Sequence, residues 1–398
     1  MNPAILHPEV QQYINEYLNA DIPKLAFKGS PFASVSIQEL VIQIVSKKKC
    51  DKKLPNWHKT ENIIYPPKVN IEQTSSELTA NYKNSIITGD SIIDITGGFG
   101  VDCYYFAKKF KYVTHCELDA NLSTIVNNNY QQLKVDNVNL ISGDGIEFLK
   151  STSKNFDWIY IDPSRRDEVN NKVFLLKDCS PNVPENLDLL FSKTSKILIK
   201  NSPILDIKKT IDELVFVKEI HIVAVENEVK ELLFVLEKEY NGSIEIKTIN
   251  YNKNNIQLFD FKYLNTTESN YSEPKKYVFE PNSAILKSGG FHEISHQIAV
   301  EKLHQHTHLY TSNDLINFPG RTFIVEHITS YNAKEIQKYL KENKANITTR
   351  NFPETVAQIR KKTKIKDGGS HYLFFITVNN NNLKVLICSQ VFQQVFIN

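Results

Sequence analysis

The chain has 398 residues, 41% of them hydrophobic and 23% charged, with a formal net charge of +2 at pH 7. A chain of this length and composition is expected to fold into two or three compact domains. It has no run of about 18 apolar residues, which excludes a membrane-spanning helix, and its start lacks the pattern of a signal peptide. Its 5 cysteines are scattered and odd in number, which predicts unpaired thiols in a reducing compartment. We therefore expect a cytoplasmic protein.

The first 85 residues are predicted to form an N-terminal helical region (residues 1–85). Ser36-x-x-Glu39 has the pattern of a capping box that opens a helix. A basic, proline-containing stretch over residues 47–69 follows. Thr74-x-x-Glu77 predicts a second capping box and a helix that ends near Lys83. That helix precedes a glycine-rich strand and is a candidate wall of a pocket, although a plain packing helix would show the same pattern.

Residues 86–240 are predicted to form a Rossmann-like α/β domain. Short apolar runs alternate with helical patterns, which is typical of a doubly wound parallel sheet. Near its end, Glu219 to Val225 and Glu231 to Glu237 have the composition of strands and are separated by only Glu226 to Lys230. A parallel crossover needs about a dozen residues, so these two strands must be antiparallel neighbours. The sequence therefore predicts a seven-stranded sheet with an antiparallel last strand.

Three of these runs end in residues suited to a nucleoside cofactor. The first ends at Asp94 and leads into a glycine-rich turn, where the lack of side chains lets the backbone approach a ligand. The second ends at Glu117, roughly 20 residues later, where ribose hydroxyls are usually bound. The third leads to Asp144, which is expected to accept a hydrogen bond from an adenine amino group. The predicted cofactor-binding residues are Asp94, Thr96, Gly97, Gly98, Gly100, Glu117, Asp144 and Gly145.

A dinucleotide-dependent oxidoreductase would use a similar arrangement. In this chain, however, Gly98-x-Gly100-x-x-Cys103 has a thiol where the dinucleotide motif needs a third small residue. The thiol of Cys103 at this position and the predicted antiparallel last strand favour a methyltransferase over a dehydrogenase.

The chain resembles a class I S-adenosylmethionine-dependent methyltransferase in four segments. These are the run Asp94 to Asp102, Glu117-Leu118-Asp119, Asp144 and the turn Asp162 to Asp167. More narrowly, the chain resembles a bacterial group in which that domain is followed by a ferredoxin-like segment and a THUMP-like domain. The narrower resemblance depends on Glu72 to Glu77 with Tyr82-Lys83, Lys177 to Cys179, Glu280 to Asn282, and Asn351 to Pro353 with Asp367 to Gly369. It implies S-adenosylmethionine as the cofactor and RNA, either tRNA or rRNA, as the substrate.

The turn Asp162-Pro163-Ser164-Arg165 is the predicted reaction centre, with Asp162, Pro163 and Arg165 as the catalytic residues. Enzymes that methylate base amino groups typically have an aromatic residue at the fourth position of this turn, and here it is an arginine. A guanidinium can stack on a base or clamp a phosphate, so a nucleic acid stays plausible while the target atom stays open. Uracil-C5 methyltransferases need a cysteine after strand five, where this chain has Asn201-Ser202-Pro203. Cys179 is expected to be structural, since unpaired cysteine is among the most buried residue types.

The rest of the chain is predicted to be a β-hairpin and linker (241–275) and an α+β ferredoxin-like and THUMP-like module (276–398). In that module, strands are predicted over 277–285, 321–328 and 371–378, and helices over 333–343 and 354–362. Residues 341–367 contain eight basic and three acidic residues, a local charge of +5. Such a cluster suits an RNA backbone, although a solvated helix face is equally consistent with the charge. The resemblance favours RNA bound through this module.

One competing motif is His292-Glu293-Ile294-Ser295-His296, which matches the zinc-binding pattern H-E-x-x-H. No further ligand follows at a recognised spacing, and His304, His306 and His308 form no standard pattern, so we predict a surface helix and no metal. Two other functions stay open: an inactive, methyltransferase-like RNA-binding protein, and a methyltransferase for protein or small molecules. No membrane partner is expected, and the sequence does not predict the oligomeric state.

Overall fold

The computed structural model describes residues 1–165, 175–253, 255–264 and 267–391. The chain divides into two compact units, one of residues 1–217 and 234–241 and the other of residues 218–233 and 242–398. The helices are α1 (Pro8–Glu16), α2 (Ile22–Lys28), α3 (Ile37–Lys53), α4 (Pro55–Lys59), α5 (Lys68–Gln73), α6 (Glu77–Ile86), α7 (Val101–Ala107), α8 (Ala120–Gln132), α9 (Gly145–Ser151), α10 (Val183–Lys193), α11 (Ile207–Asp212), α12 (Ser283–Ser288), α13 (Phe291–Ile298), α14 (Ala333–Gln337) and α15 (Val356–Thr363). Within the described residues, none of these helices is both long and apolar enough to cross a membrane.

The strands belong to two large sheets and one short ladder. They are β1 (Ser91–Asp94), β2 (Tyr112–Glu117), β3 (Val138–Ser142), β4 (Trp158–Ile161), β5 (Ser164–Arg165), β6 (Cys179–Ser180), β7 (Lys196–Asn201), β8 (Val217–Val225), β9 (Glu228–Glu237), β10 (Glu245–Tyr251), β11 (Ile256–Lys262), β12 (Tyr277–Pro281), β13 (Glu301–Lys302), β14 (Tyr310–Ser312), β15 (Gly320–Thr329), β16 (Asn346–Arg350), β17 (His371–Val378) and β18 (Asn382–Val391).

The N-terminal region is helical, as predicted, and one of its two predicted capping boxes is present. At the start of α3, the Ser36 hydroxyl accepts from the Glu39 amide at 3.2 Å and the Glu39 carboxylate accepts from the Ser36 amide at 2.8 Å. The second box is wrong, because Ser76 caps α6 by accepting from the Thr79 amide at 3.2 Å. The carboxylate of Glu77 turns into the protein and is nearly buried.

The first sheet has the strand order β11-β10-β8-β9-β7-β4-β1-β2-β3. β1 pairs in parallel with β2 and β4, β2 pairs with β3, and β4 pairs with β7. Glu226 and Asn227, which link β8 to β9, have φ values of 50° and 61°. Positive φ at both central residues is the geometry of a tight hairpin turn, which makes β9 the predicted antiparallel strand.

The sheet is larger than the seven strands predicted. The predicted hairpin after residue 240 is present as β10 and β11, and β10 pairs in parallel with β8 from Glu245↔Glu219 to Tyr251↔Val225. The α/β fold class is therefore confirmed, with two strands added at the β8 edge.

The second sheet has the order β13-β14-β12-β15-β18-β17-β16. The strands predicted over 321–328 and 371–378 are present as β15 and β17. The strand predicted over 277–285 stops at Pro281, because the Asn282 side chain caps α12 by accepting from the Ile285 amide at 3.1 Å. The helix predicted over 333–343 is shorter and ends at Gln337.

Glu280 explains one of the segments of the family resemblance. Its side chain is buried and accepts from Arg321 Nε at 2.8 Å and from Arg350 Nη2 at 2.7 Å. A buried carboxylate with two guanidinium partners ties β12 to β15 and β16, so this segment is structural.

Candidate active site

The carboxyl ends of β1, β2, β3, β4 and β7 lie at one edge of the first sheet, because these strands are parallel. Ligands of open α/β sheets bind outside this edge. Every predicted cofactor-binding and catalytic residue follows one of the first four of these strands or ends it.

A hydrogen-bonded link joins the ends of β1 and β4. Asp94 Oδ1 accepts from the Thr96 amide at 2.8 Å and from Thr96 Oγ1 at 3.0 Å. The Thr96 hydroxyl oxygen in turn accepts from the Asp162 amide at 2.7 Å. The start of the glycine turn and the predicted reaction centre are therefore held together by one threonine.

Asp94 is almost completely buried, at 1% exposure. Burial is the main cause that raises its pKa to about 8, and the nearby carboxylates of Asp102 and Asp162 contribute to the same shift. Cys103, at the position where the dinucleotide motif needs a small residue, donates from Sγ to Asp94 Oδ2 at 3.5 Å. The thiol that argued against a dinucleotide motif thus helps to hold the β1 carboxyl group.

The glycine turn is shaped by close contacts. A Cβ on Gly97 would lie 2.3 Å from His115 Nε2, and one on Gly100 would lie 2.4 Å from the Tyr130 hydroxyl. His115 is fully buried, and burial lowers its pKa to about 4, so the ring is neutral. Gly98 differs, because a Cβ there would contact only Thr96 O at 3.8 Å, so the turn faces open space at that point.

Glu117 at the end of β2 also holds the turn. Its Oε2 accepts from the Gly98 amide at 2.8 Å and its Oε1 from the Asp119 amide at 2.7 Å. Each carboxylate oxygen has a second lone pair, so both can still accept a hydroxyl hydrogen bond.

Asp144 and Gly145 follow β3. Asp144 is exposed and caps α9, with Oδ1 accepting from the Ile146 amide at 2.7 Å. A Cβ on Gly145 would lie 2.5 Å from Ile95 O, so this turn packs directly against the residue that follows β1. The structure thus brings the predicted residues of β1, β2, β3 and β4 to one edge.

Two residues at the end of β7, Lys200 and Asn201, were not among the predicted site residues. Asp162 forms an ion pair with Lys200, whose side chain is only 13% exposed. The next residue, Asn201, is 2% exposed, and neither its side-chain nitrogen nor its oxygen has a hydrogen-bond partner among the described residues. Both residues lie at the end of the buried strand β7. The pattern that predicted Asp94 and Glu117, an apolar run that leads to a polar residue, is therefore also present here.

Pro163 is partly buried, whereas the side chain of Arg165 and the whole of Arg166 lie outside the described residues. The backbone of Arg165 pairs with Cys179 in the antiparallel ladder of β5 and β6. Cys179 is buried, as expected of a structural cysteine. The Lys177 to Cys179 segment of the resemblance is therefore adjacent to the predicted reaction centre.

The N-terminal helices are anchored to α7, which follows the glycine turn. Lys83 on α6 lies 3.3 Å from Asp102 Oδ1, and their side chains are 0% and 9% exposed. Asp102 Oδ2 accepts from Ser75 Oγ at 2.8 Å and from the Tyr160 hydroxyl at 2.9 Å. The Glu77 carboxylate accepts from the Tyr105 hydroxyl at 2.9 Å. The segment Glu72 to Glu77 with Tyr82-Lys83 is thus a polar contact surface for α7.

The H-E-x-x-H segment lies on α13. His292 Nδ1 is 2.9 Å from Ser269 Oγ, and His296 is exposed. Over the part of the chain that the structure describes, no group of three or more histidine, cysteine or acidic side chains is arranged to hold a metal ion.

The sheet order and this edge define the class of the protein as a Rossmann-like methyltransferase fold with a C-terminal α+β module. Within that module, residues 277–319 match the model of a ferredoxin-like domain and residues 320–390 match that of a THUMP domain-like family.

Two of the known proteins that are similar to this chain are named methyltransferases. The first is the "putative methyltransferase from Porphyromonas gingivalis W83". Its crystal structure matches this chain with a TM-score of 0.86 and 28% sequence identity, over 98% of each chain. The second is an uncharacterized RNA methyltransferase of Mycoplasma mobile, 30% identical over 92 residues, which are 23% of this chain and 25% of that protein. The match thus spans only about a quarter of the length of this curated relative. The comparisons confirm the predicted resemblance, and methyltransferase is the class named for both relatives.

Proposed function

We propose that this protein is an S-adenosylmethionine-dependent methyltransferase that acts on RNA, either tRNA or rRNA. The central observation is the carboxyl edge of the sheet, where the ends of β1, β2 and β4 are joined by hydrogen bonds through Thr96 and Glu117. The class named for the two relatives supports the activity, and the THUMP-like domain supports RNA as substrate. The cytoplasmic location and the domain limits at residues 85, 240 and 275 stay predictions.

The residues at this edge suit S-adenosylmethionine. Glu117 would bind the ribose hydroxyls, Asp144 with Gly145 the adenine, and Asp94 with the turn from Thr96 to Gly100 the amino-acid part. The open space at Gly98 supports this assignment, because a ligand can approach the backbone there. The cofactor supplies a methyl group already activated on a sulfonium, so the protein must mainly position the nucleophile.

Asp162 would orient the nucleophile, with Pro163 fixing the turn. Lys200 keeps the Asp162 carboxylate in one position through their ion pair. Arg165, next in the same turn, would bind the base or a phosphate of the RNA. The basic residues between 341 and 367 support a further RNA contact in the THUMP-like domain.

The test is methyl transfer from labelled S-adenosylmethionine to total RNA isolated from cells that lack the gene. We expect label in tRNA or rRNA, and mass spectrometry of the digested nucleosides identifies the base. The Asp162→Ala variant is the control, since it should bind the cofactor as wild type does and transfer no methyl group. If the protein binds the cofactor but transfers no methyl group to any RNA, two functions remain: an inactive RNA-binding protein, or a methyltransferase for another class of substrate. Normal transfer by Asp162→Ala would show that the reaction centre is elsewhere.

A further inference from the structure

The N-terminal helical region contains a groove of about 580 Å³ on the face of α3. Its apolar floor includes Leu18, Ile22 and Ile44. Four lysines line it, namely Lys48, Lys49, Lys52 and Lys68, against the single acidic residue Asp51. We refer to this surface as the lysine groove.

The lysines of α3 occupy neighbouring positions on one helix. Lys48 and Lys52 are four residues apart, so their ammonium groups share a face and repel each other. Lys49 and Lys68 lie 2.8 and 3.5 Å from Glu72 Oε1 and share that carboxylate. Lys48 and Lys52 are exposed and form no ion pair within the described residues. This arrangement costs stability unless an anion lies over the groove.

Lys53, the last residue of α3, is held by hydrogen bonds to the backbone of α5. Lys53 follows Lys52 and donates from Nζ to the carbonyl oxygens of Ile71 and Glu72, both at 2.8 Å. Burial is the main cause that lowers its pKa to about 8, and the positive charge of Lys200 contributes to the same shift. Lys200 in turn pairs with Asp162.

Several basic residues of the C-terminal cluster over 341–367 are held in ion pairs. Lys362 pairs with Glu354 at 2.7 Å, Lys344 with Glu342 at 3.0 Å, and Arg350 with Glu280 at 2.7 Å. The local charge of +5 already includes Glu342 and Glu354, so only Glu280, which also pairs with Arg321, adds negative charge to this count.

We propose that the lysine groove binds the phosphate backbone of the substrate RNA, with the apolar floor contacting bases or ribose. This inference rests on the proposed function, since it names a surface that binds the same substrate. Phosphates match the lysines in charge, and Lys48 and Lys52 are exposed and have no ion-pair partner among the described residues.

The test compares Lys48→Gln/Lys52→Gln with wild type in binding unfractionated bacterial tRNA over a series of KCl concentrations. Each lost phosphate contact lowers the slope of log K against log[salt] by about 0.7 to 0.9. We expect the slope to fall by about 1.4 to 1.8 and the affinity at low salt to fall about tenfold. Cofactor affinity, measured by calorimetry, should not change.

The matched control is Lys134→Gln/Lys154→Gln, which removes two exposed lysines from the segments that lead into β3 and β4, at the amino ends of these strands. The inference is overturned if both double variants lower the slope equally, or if neither does while wild type binds tRNA. It is also overturned if poly-L-glutamate competes as well as tRNA at equal charge, because the groove would then fit acidic protein. Wild type that binds cofactor but no RNA would instead contradict the proposed substrate.

Discussion

Replacing Lys83 with methionine would remove the cation of a buried ion pair beneath the glycine turn. Lys83 and Asp102 have side-chain exposures of 0% and 9%, and the nitrogen and oxygen are 3.3 Å apart. Removing one partner of a buried pair costs about 3 to 5 kcal/mol, because the other charge is left without compensation. Asp102 keeps two hydroxyl donors, from Ser75 and Tyr160, so we expect the lower end, about 3 kcal/mol.

Tryptophan fluorescence during urea unfolding measures this effect. The chain has 2 tryptophans, and both Trp57 and Trp158 lie in the first unit, so the signal reports the unit that contains the ion pair. Asp102→Asn and the double variant complete a double-mutant cycle. The double variant should lose less free energy of unfolding than the two single variants together, since neither charge then remains alone.

The control is Lys150→Met, which breaks an exposed pair with Glu147 at 2.7 Å and should cost less than about 0.5 kcal/mol. If Lys83→Met also costs less than about 1 kcal/mol, or if the cycle shows no coupling, the pair does not anchor α6 to α7 as described.

Three further predictions concern the site. Gly97→Ala would place a Cβ 2.3 Å from the buried His115 ring, so it should abolish cofactor binding in calorimetry and destabilise the protein by about 1 to 3 kcal/mol; full binding would refute the close packing. Asn201→Leu should leave the protein as stable or more stable, because it removes two buried amide atoms that have no hydrogen-bond partner among the described residues. The same variant should lower the rate of methyl transfer. An unchanged rate would show that the amide has no role in the reaction. Asp94, whose pKa is raised to about 8, is mostly protonated at pH 7, so binding of the positively charged cofactor should release a proton and affinity should rise up to about pH 8 and then level off. Calorimetry in two buffers of different ionisation enthalpy measures that proton, and its persistence in Asp94→Asn would contradict the assignment.

The strand ends of the site are predictable because each follows a local sequence pattern, in which a short run rich in apolar residues leads to a residue of defined chemistry. Asp94, Glu117 and Asp144 fit that pattern, and parallel pairing brings them to one edge. Lys200 and Asn201 fit it as well, but we considered that segment only as a possible nucleophile position.

Other features depend on partners far apart in the chain, which no local pattern reveals. The Glu77 carboxylate accepts hydrogen bonds from Asn56 and Tyr105 and not from the helix cap. The predicted capping box is therefore absent, although Thr74 and Glu77 have the spacing of one. The contact of Gly97 with His115 depends on the pairing of β1 with β2. The two added strands of the sheet likewise depend on the register of β10 with β8.

A crystal structure with bound S-adenosylhomocysteine, the product form of the cofactor, would show directly whether the carboxyl edge of the first sheet binds the cofactor. We expect the ligand over the glycine turn at Gly98, with its ribose hydroxyls hydrogen-bonded to Glu117 and its adenine beside Asp144. Ligand density away from this edge, or a nicotinamide dinucleotide bound there in its place, would contradict the account.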